Sequence, residues 1–276
     1  MPPDIETLQN FYASHLGETC RRLVGRVVEA RWGHCAGLAV AALGYGTPYL
    51  DFFRAKALRC LALMPAEQGV SVWPDESRCA AALVDSFMIP LPDGSIDRLL
   101  LAHALESASR PEALLEEVWR ILAPQGRLLA IVPSRRGMWA RSENSPFGQG
   151  LPYSKTQLKD LLNHALFTPS FWGEALYMPP VAKGVVLRAA PTLEKAGAAL
   201  GLPFAGVHIV EATKQIQRIV TAKAIKGAVR TPLRPALANA GVHFRPQAGG
   251  YTLSSLSRSL AVGFQEVVHS VWTGER

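Results

Sequence analysis

The stretch GLAVAALGYGTPYL, residues 37–50, changes character twice along its length. Its first part is a continuous apolar run ending at Leu43, which is typical of a strand buried on both faces. The two glycines of GYG then allow a tight turn. Thr47 is a favoured N-cap and Pro48 a favoured first helical residue. The stretch therefore predicts a strand, a glycine loop and a helix, which is how open α/β sheets build nucleotide sites.

Similar apolar runs recur along the chain, and several are separated by segments with helical periodicity. This alternation indicates a mostly parallel sheet with helices on both faces, an α/β fold. The predicted strands are Leu38–Leu43, Cys60–Met64, Ala80–Val84, Ile96–Ala102 and Arg127–Val132. A β-rich segment that begins at Ala205 predicts a late strand, interpreted as an antiparallel edge partner.

Three helices are predicted from apolar spacing and capping residues. The first spans about residues 4–32, with a break near Gly17. The second ends at Pro124 and Gly126. The capping boxes are Ser109 with Glu112 for the second helix and Ser154 with Gln157 for the third.

Composition restricts the class of protein. The 276 residues are 49% apolar and 18% charged, as in a folded globular protein, and no run is long enough to span a membrane. The N-terminal MPPDIETLQNFY lacks the basic and apolar regions of a signal peptide, so a cytoplasmic location is predicted. Four cysteines without metal-ligand spacing predict reduced, buried thiols and no metal site.

The net charge of +7 is concentrated at the C-terminal end. Residues 212–276 hold nine basic and two acidic side chains, whereas the preceding residues are balanced. This predicts a basic extension over 223–276 that is either a solvated tail or a surface for an acidic protein, a nucleic acid or an anionic membrane. It contains no aromatic RNA-reading motif.

The segment LVDSFMIPLPDGSIDRLLLAHALE, residues 83–106, followed by PEALLEEVWRILAPQGRLLAIVP, resembles the class I S-adenosylmethionine-dependent methyltransferases of the type 11 group. The matching elements are Asp85 after the third strand, IPLPDGSID, HALES after the fourth strand, and LAPQG. The resemblance covers about residues 37–166. It implies a Rossmann-like sheet of seven strands, with S-adenosylmethionine bound at the carboxyl ends of the first four.

The resemblance also implies where the cofactor contacts lie. The loop of Gly44, Tyr45, Gly46 and Thr47 is implied to lie against the cofactor, and His103 to line the floor near its methionine part. The adenine is bordered by a group after the third strand: Asp85, Ser86 and Phe87.

Two acidic anchors of the family are missing from this chain. The acid at the end of the first strand is replaced by Ala42, and Pro48 replaces the third glycine of the loop. Met64 takes the position of the acid that binds the ribose, and Glu67 is the nearest carboxylate. The pattern predicts an altered cofactor site with weakened affinity.

The acceptor side is predicted in the connection over residues 133–154. Its cations could bind a carboxylate or phosphate, and its aromatic residues could wall an apolar acceptor; an ordinary surface loop is the alternative. These candidate residues are Arg135, Arg136, Trp139, Arg141, Phe147 and Tyr153. His103 with Glu106 is the candidate general base, and His103 as a packing residue is the alternative.

Two functions follow from these patterns. The first is an S-adenosylmethionine-dependent methyltransferase acting on an unidentified acceptor. The second is a non-catalytic protein that keeps the fold and binds partners through its basic tail. The predicted organisation is a helical segment over 1–36, a methyltransferase-like domain over 37–222 and the extension over 223–276.

Overall fold

The chain divides into two units, residues 1–221 and residues 222–276. The computed structural model describes residues 3–216, which lie in the first unit. The predicted basic extension over 223–276 therefore lies outside the described residues. Among those described, no helix is long and apolar enough to cross a membrane.

A seven-stranded sheet forms the centre of this unit, in the order β3-β2-β1-β4-β5-β7-β6. The strands are β1 (Ala39–Gly44), β2 (Arg59–Pro65), β3 (Ala81–Val84), β4 (Ile96–Ala102), β5 (Leu122–Pro133), β6 (Phe167–Ala175) and β7 (Val207–Lys214). The first five pair in parallel, and β7 pairs antiparallel with both β5 and β6. The predicted α/β fold with a mostly parallel sheet is confirmed.

Helices cover both faces of the sheet, as the continuous apolar strands require. They are α1 (Ile5–Ala13), α2 (His15–Trp32), α3 (Thr47–Leu50), α4 (Pro111–Ile121), α5 (Lys155–His164) and α6 (Gly184–Leu200). Residues of α1, α2 and α6 pack with one face of β1, β4, β5 and β7. Residues of α4 and α5 pack against the opposite face.

The chain reverses direction across the sheet between β1 and β4. Strands β1 to β3 progress outward to one edge, and β4 returns to the other side of β1. The carboxyl ends of β1 and β4 are held level by the pairing of Gly44 with Ala102. Ligands of open α/β sheets bind at such a switch point.

Several predicted boundaries are wrong, and each has a local reason. Thr47 is not the N-cap of α3 but its first residue, because Gly46 takes the cap position. Ser109 does not cap α4, since Pro111 sets the first turn and places the N-cap at Arg110. That helix ends at Ile121, so LAPQG belongs to β5.

The other boundary errors concern the N-terminal helix and the late strand. The helix breaks at Ser14, not near Gly17, because Ser14 caps the second segment by accepting from the Gly17 N–H. The late strand is antiparallel as predicted, but it is internal. The edge strand is Phe167–Ala175, which the apolar pattern did not reveal. The capping box of Ser154 and Gln157 is confirmed.

A buried ionic cluster connects α2 to the sheet. The Glu211 side chain on β7 is fully buried and accepts hydrogen bonds from Arg31 and Arg127 and from the Trp32 indole. Burial alone would raise the pKa of Glu211, but the bonds from the two arginines outweigh it and lower the pKa. The carboxylate is thus favoured in its ionised form in the folded protein.

We expect Glu211→Gln to lower the free energy of unfolding by about 1.5–3 kcal/mol at neutral pH, because it removes hydrogen bonds to charged groups. Since the folded-state pKa is lowered, this stabilisation is present above the unfolded-state pKa and is lost as pH falls through the folded-state value. Urea unfolding of both proteins at neutral and acidic pH checks this. A difference that does not shrink in acid would contradict it.

Candidate functional site

The carboxyl ends of β1 to β4 meet four connecting segments and helix α1. The segments follow β1, β2, β3 and β4, and the connection after β5 packs beside them. The residues predicted from the resemblance lie on these segments, so the topology brings them to one edge of the sheet.

The glycine loop after β1 fits closely against the end of β4. Gly44 has φ of +90°, and a Cβ there would lie 2.2 Å from the Ala102 carbonyl oxygen. A Cβ on Gly46 would lie 2.4 Å from the Cβ of Ala42. Both glycines are therefore required by the packing of the loop itself, whether or not a ligand lies against it.

Aromatic side chains surround this loop. Tyr12 from α1 lies with its ring centroid 5.5 Å from that of Tyr45 and 5.8 Å from that of His103. Its hydroxyl is 2.9 Å from His103 Nε2 and 3.1 Å from the Tyr49 hydroxyl. Phe147 contacts the other side of His103, at a centroid distance of 4.8 Å.

The phenols of this cluster remain neutral. Burial is the first cause that raises the pKa of Tyr12 well above its ordinary value, and burial also raises the pKa of Tyr49 and Tyr45. Each hydroxyl can thus donate one hydrogen bond and accept others. The cluster is a set of neutral donors and acceptors around one imidazole.

His103 and Glu106 form the buried pair that the sequence suggested. His103 Nδ1 lies 3.3 Å from Glu106 Oε1, and both side chains are only 2% exposed. The spacing suits an ion pair, but neither Glu106 oxygen makes a hydrogen bond within residues 3–216. With Nδ1 facing the carboxylate, the Nε2 atom is left to accept from Tyr12. His103 also has φ of +56°, an uncommon backbone conformation for this residue type.

A cavity of about 290 Å³ opens beside this cluster. It is formed by the segments after β2, β3 and β4, and its volume is near the lower end of ligand pockets, about 300 Å³. The lining residues are Pro65, Glu67, Gln68, Ser86, Phe87, Ala104, Ser107, Ala108, Ser109 and Leu114. No residue of the glycine loop lines it.

Ser86 and Phe87, predicted beside the adenine, both line this cavity. Asp85 is exposed and uses Oδ1 to accept from the Phe87 N–H at 2.8 Å, which fixes the turn after β3. The Arg110 guanidinium lies 4.3 Å from the Phe87 ring centroid. The predicted adenine segment thus supplies one wall of the cavity.

On the segment after β2, the residue predicted beside the cofactor is not the one that lines the cavity. Met64 does not line the cavity; it is buried, and its sulfur accepts from the Ser71 N–H at 3.3 Å. Glu67 and Gln68, three and four residues later, do line it. Gln68 is buried and donates its amide to the His103 carbonyl. The carboxylate that lines the cavity on this segment is therefore that of Glu67.

These residues meet the chemical needs of an adenine nucleoside. The Glu67 carboxylate can accept from ribose hydroxyls, and Phe87 offers an apolar ring to a base. The amide groups of the glycine loop lie at the adjacent strand end. Ala42 is fully buried in the core and offers no charge to an amino acid part.

The predicted acceptor residues do not gather at one point. Arg135, Arg136 and Arg141 are exposed. Trp139 is fully buried, and its indole N–H donates to the Met178 carbonyl at 2.7 Å. Tyr153 is half-buried, and its hydroxyl lies 3.5 Å from the Leu105 carbonyl, near the His103–Glu106 pair.

A second, more open cavity of about 590 Å³ lies between α1 and the connections after β5 and β6. No pattern in the sequence pointed to this cavity, because its residues come from three separate segments. They are Thr7, Asn10, Phe11, Ser14, Leu16, Asn144, Pro146, Gln149, Pro180, Val181 and Ala182. None of these side chains is charged. Phe11 also contacts Phe147, at a centroid distance of 6.1 Å, and so connects this cavity to the aromatic cluster.

The cysteines take different environments. Cys20 and Cys35 are buried as predicted, whereas Cys79 is exposed and Cys60 is half-buried, so the prediction of four buried thiols is wrong for these two. In the part of the chain that the structure describes, no group of three or more His, Cys, Asp or Glu is arranged to hold a metal ion.

Comparison with known proteins finds one family that matches part of the chain. Residues 41–130 match the model of the methyltransferase domain family Methyltransf_11. No curated protein matches the chain.

Solved structures share the fold at low identity. The crystal structure of the [4+2]-cyclase SpnF is 20% identical, with a TM-score of 0.53, and the match covers 71% of this chain and 81% of that one. A possible histamine N-methyltransferase from Thermotoga maritima is 16% identical, with a TM-score of 0.51 and coverage of 75% and 94%. A methyltransferase from Archaeoglobus fulgidus, also 16% identical, has a TM-score of 0.50 and coverage of 70% and 94%.

The family match runs from β1 into β5 and includes the residues after β2, β3 and β4 that line the smaller cavity. The sheet order and the packed glycine loop agree with it. The family match is thus confined to residues 41–130, and the solved structures show that the fold is one shared with S-adenosylmethionine-dependent methyltransferases.

Proposed function

We propose that this protein binds S-adenosylmethionine and transfers its methyl group to an uncharged acceptor. The observation that carries the proposal is the smaller cavity, lined by the segments after β2, β3 and β4 beside the glycine loop. Bound S-adenosylmethionine supplies a methyl group on a positively charged sulfur. Transfer of this methyl group depends mainly on how the acceptor is aligned with it, so the site needs few catalytic side chains.

The chain's own residues have distinct parts in this proposal. Ser86 and Phe87 hold the adenine, and Glu67 accepts from the ribose hydroxyls. The backbone of Gly44 and Gly46 lies along the methionine part. His103 Nε2 is the atom that accepts a proton from the acceptor, with Glu106 holding the imidazole through Nδ1.

The acceptor class follows from the second cavity. Its lining combines hydroxyl and amide groups with apolar side chains and no charge. An uncharged molecule with hydrogen-bonding groups suits it, whereas a carboxylate or phosphate would lack a charged partner there. Arg135, Arg136 and Arg141, proposed from the sequence for such anions, do not line this cavity.

A non-catalytic role is the second candidate, and the buried Ala42 and Met64 favour it. Two positions that hold acids in the resembling family carry core side chains here. The fold itself does not specify methyl transfer, because one similar structure is described as a cyclase. In this alternative the basic residues 212–276 bind an acidic protein, a nucleic acid or an anionic membrane.

We expect calorimetry to detect binding of both S-adenosylmethionine and S-adenosylhomocysteine to the full chain. Titration to about 1 mM ligand detects affinities stronger than about −4 kcal/mol. Absence of heat and of a thermal shift at this concentration would favour the non-catalytic role. The control is the chain truncated after residue 216, which lacks most of the basic tail but keeps all the proposed cofactor residues.

A further inference from the structure

A backbone hydrogen bond connects helix α1 to a segment that borders the smaller cavity. The Ile5 N–H donates to the Gln68 carbonyl at 2.7 Å, and the Gln68 amide in turn donates to the His103 carbonyl. Gln68 itself lines the cavity. The N-terminal end of α1 is therefore coupled to the cavity wall, and Tyr12 lies two turns further along the helix.

Tyr12 connects α1 to both His103 and the glycine loop. Its hydroxyl contacts both His103 Nε2 and the Tyr49 hydroxyl, and its ring packs against Tyr45 of the glycine loop. The other members of this group belong to the sheet connections. Tyr12 is thus the contribution of the N-terminal helix to a polar cluster of the methyltransferase domain.

Tyr12 also stands between two parts of the proposed cofactor site. The smaller cavity reaches Ala104, two residues after the end of β4, but contains no residue of the 44–47 loop. A ligand that fills this cavity and extends along the end of β4 toward Gly44 meets the Tyr12–His103 contact. An adenosine that stays within the cavity does not.

We infer that Tyr12 is a specificity-determining residue of the site. This inference rests on the proposed function. With Tyr12 bonded to His103, the site takes adenosine without rearrangement. A ligand with a long 5′ substituent, such as S-adenosylhomocysteine, has to displace the Tyr12 hydroxyl from His103 Nε2 to lie beside Gly44.

The hydrogen bonds of the Tyr12 hydroxyl determine how much affinity is lost by ligands with a long 5′ substituent. A ligand that binds only the displaced state has its affinity reduced by the fraction of molecules in that state. Tyr12→Phe keeps the ring but removes both hydrogen bonds, so the displaced state becomes more populated. The affinity for adenosine does not depend on this equilibrium.

The test compares two ligands on four full-length proteins by calorimetry. We expect Tyr12→Phe to bind S-adenosylhomocysteine about tenfold more tightly than wild type, as the loss of one to two neutral hydrogen bonds implies. Adenosine affinity stays unchanged. Tyr177→Phe is the matched control, because its buried hydroxyl bonds to Glu174 at 3.1 Å away from this cluster. It leaves both affinities unchanged.

Tyr49→Phe is the fourth protein and removes the second partner of the Tyr12 hydroxyl. We expect a smaller gain in S-adenosylhomocysteine affinity, since the His103 bond remains. Hydrogen exchange of the α1 amides supplies an independent measurement. Their exchange rises when S-adenosylhomocysteine binds and stays constant when adenosine binds.

Equal or weaker S-adenosylhomocysteine binding by Tyr12→Phe would overturn the inference. Weaker binding would mean that the hydroxyl contacts the bound ligand. Failure of all four proteins to bind S-adenosylhomocysteine would instead refute the proposed function, and the inference with it. Adenosine binding and thermal unfolding show in each case whether the variant is folded.

Discussion

Gly44→Ala is expected to lower the free energy of unfolding by about 2–5 kcal/mol. A left-handed backbone costs a residue with a Cβ about 1–2 kcal/mol, and forcing an extra methyl into a packed site costs about 1–3 kcal/mol more. Both apply here, since φ is +90° and the added Cβ would lie 2.2 Å from the Ala102 carbonyl oxygen. Because that atom belongs to strand backbone, β1 and β4 have to separate to relieve the overlap.

Gly37→Ala is the matched control for this experiment. Gly37 also has a positive φ, of +75°, but nothing lies within 4 Å of the Cβ that alanine would add. Gly37→Ala is therefore expected to lower the free energy of unfolding by about 1–2 kcal/mol through its backbone conformation, with no steric overlap. Alanine also restricts the unfolded chain, which offsets about 0.4–1 kcal/mol of this loss. Urea unfolding of both variants measures the difference. If both variants lose the same free energy of unfolding, the glycine loop is not packed tightly against β4.

The sequence predicted the central sheet because its strands are continuous apolar runs. Strands β1, β2, β4 and β5 are internal to the sheet, and their burial on both faces produces a continuous apolar run that a single sequence shows. Edge strand β6 is different. Most residues of Phe167–Ala175 are half-exposed, and polar residues and a proline interrupt the apolar ones. A search for continuous apolar runs therefore missed this strand.

The errors at helix ends have a different origin. Ser109 and Thr47 are good capping residues, but capping depends on where the first helical residue falls. Pro111 fixed that position for α4, and the close approach of Gly46 to Ala42 fixed it for α3. A neighbouring proline thus decided the cap of α4, and packing against the strand decided the cap of α3.

The sequence predicted which segments meet at this edge of the sheet, but not every residue that lies there. The topology brings the segments of the glycine loop, Ser86 and His103 to one edge, as the resemblance implied. Tyr12 could not be found in this way, because it lies 91 residues from its partner His103 and precedes the matching segment. Its only local signal was an aromatic position on an amphipathic helix, which equally describes a core residue.

The cavity wall that we propose for the ribose gives the strongest expected effect on binding. Glu67 is the carboxylate that lines the smaller cavity, and the acid expected by resemblance at position 64 is a methionine. We expect Glu67→Gln to weaken adenosine and S-adenosylhomocysteine binding by about ten- to a hundred-fold, since hydrogen bonds to a charged group contribute about 1.5–3 kcal/mol.

Two controls separate this contact from a general effect of charge. Glu76→Gln removes the same charge from the same β2–β3 connection, but Glu76 is exposed and does not line the cavity. Its affinities are expected to match wild type. The second control is 2′,3′-dideoxyadenosine, which lacks the 2′ and 3′ hydroxyls assigned to Glu67, so its binding is expected to be insensitive to Glu67→Gln. If the dideoxy ligand loses as much affinity as adenosine, the carboxylate acts on the cavity as a whole, and the assignment of Glu67 to the ribose is wrong.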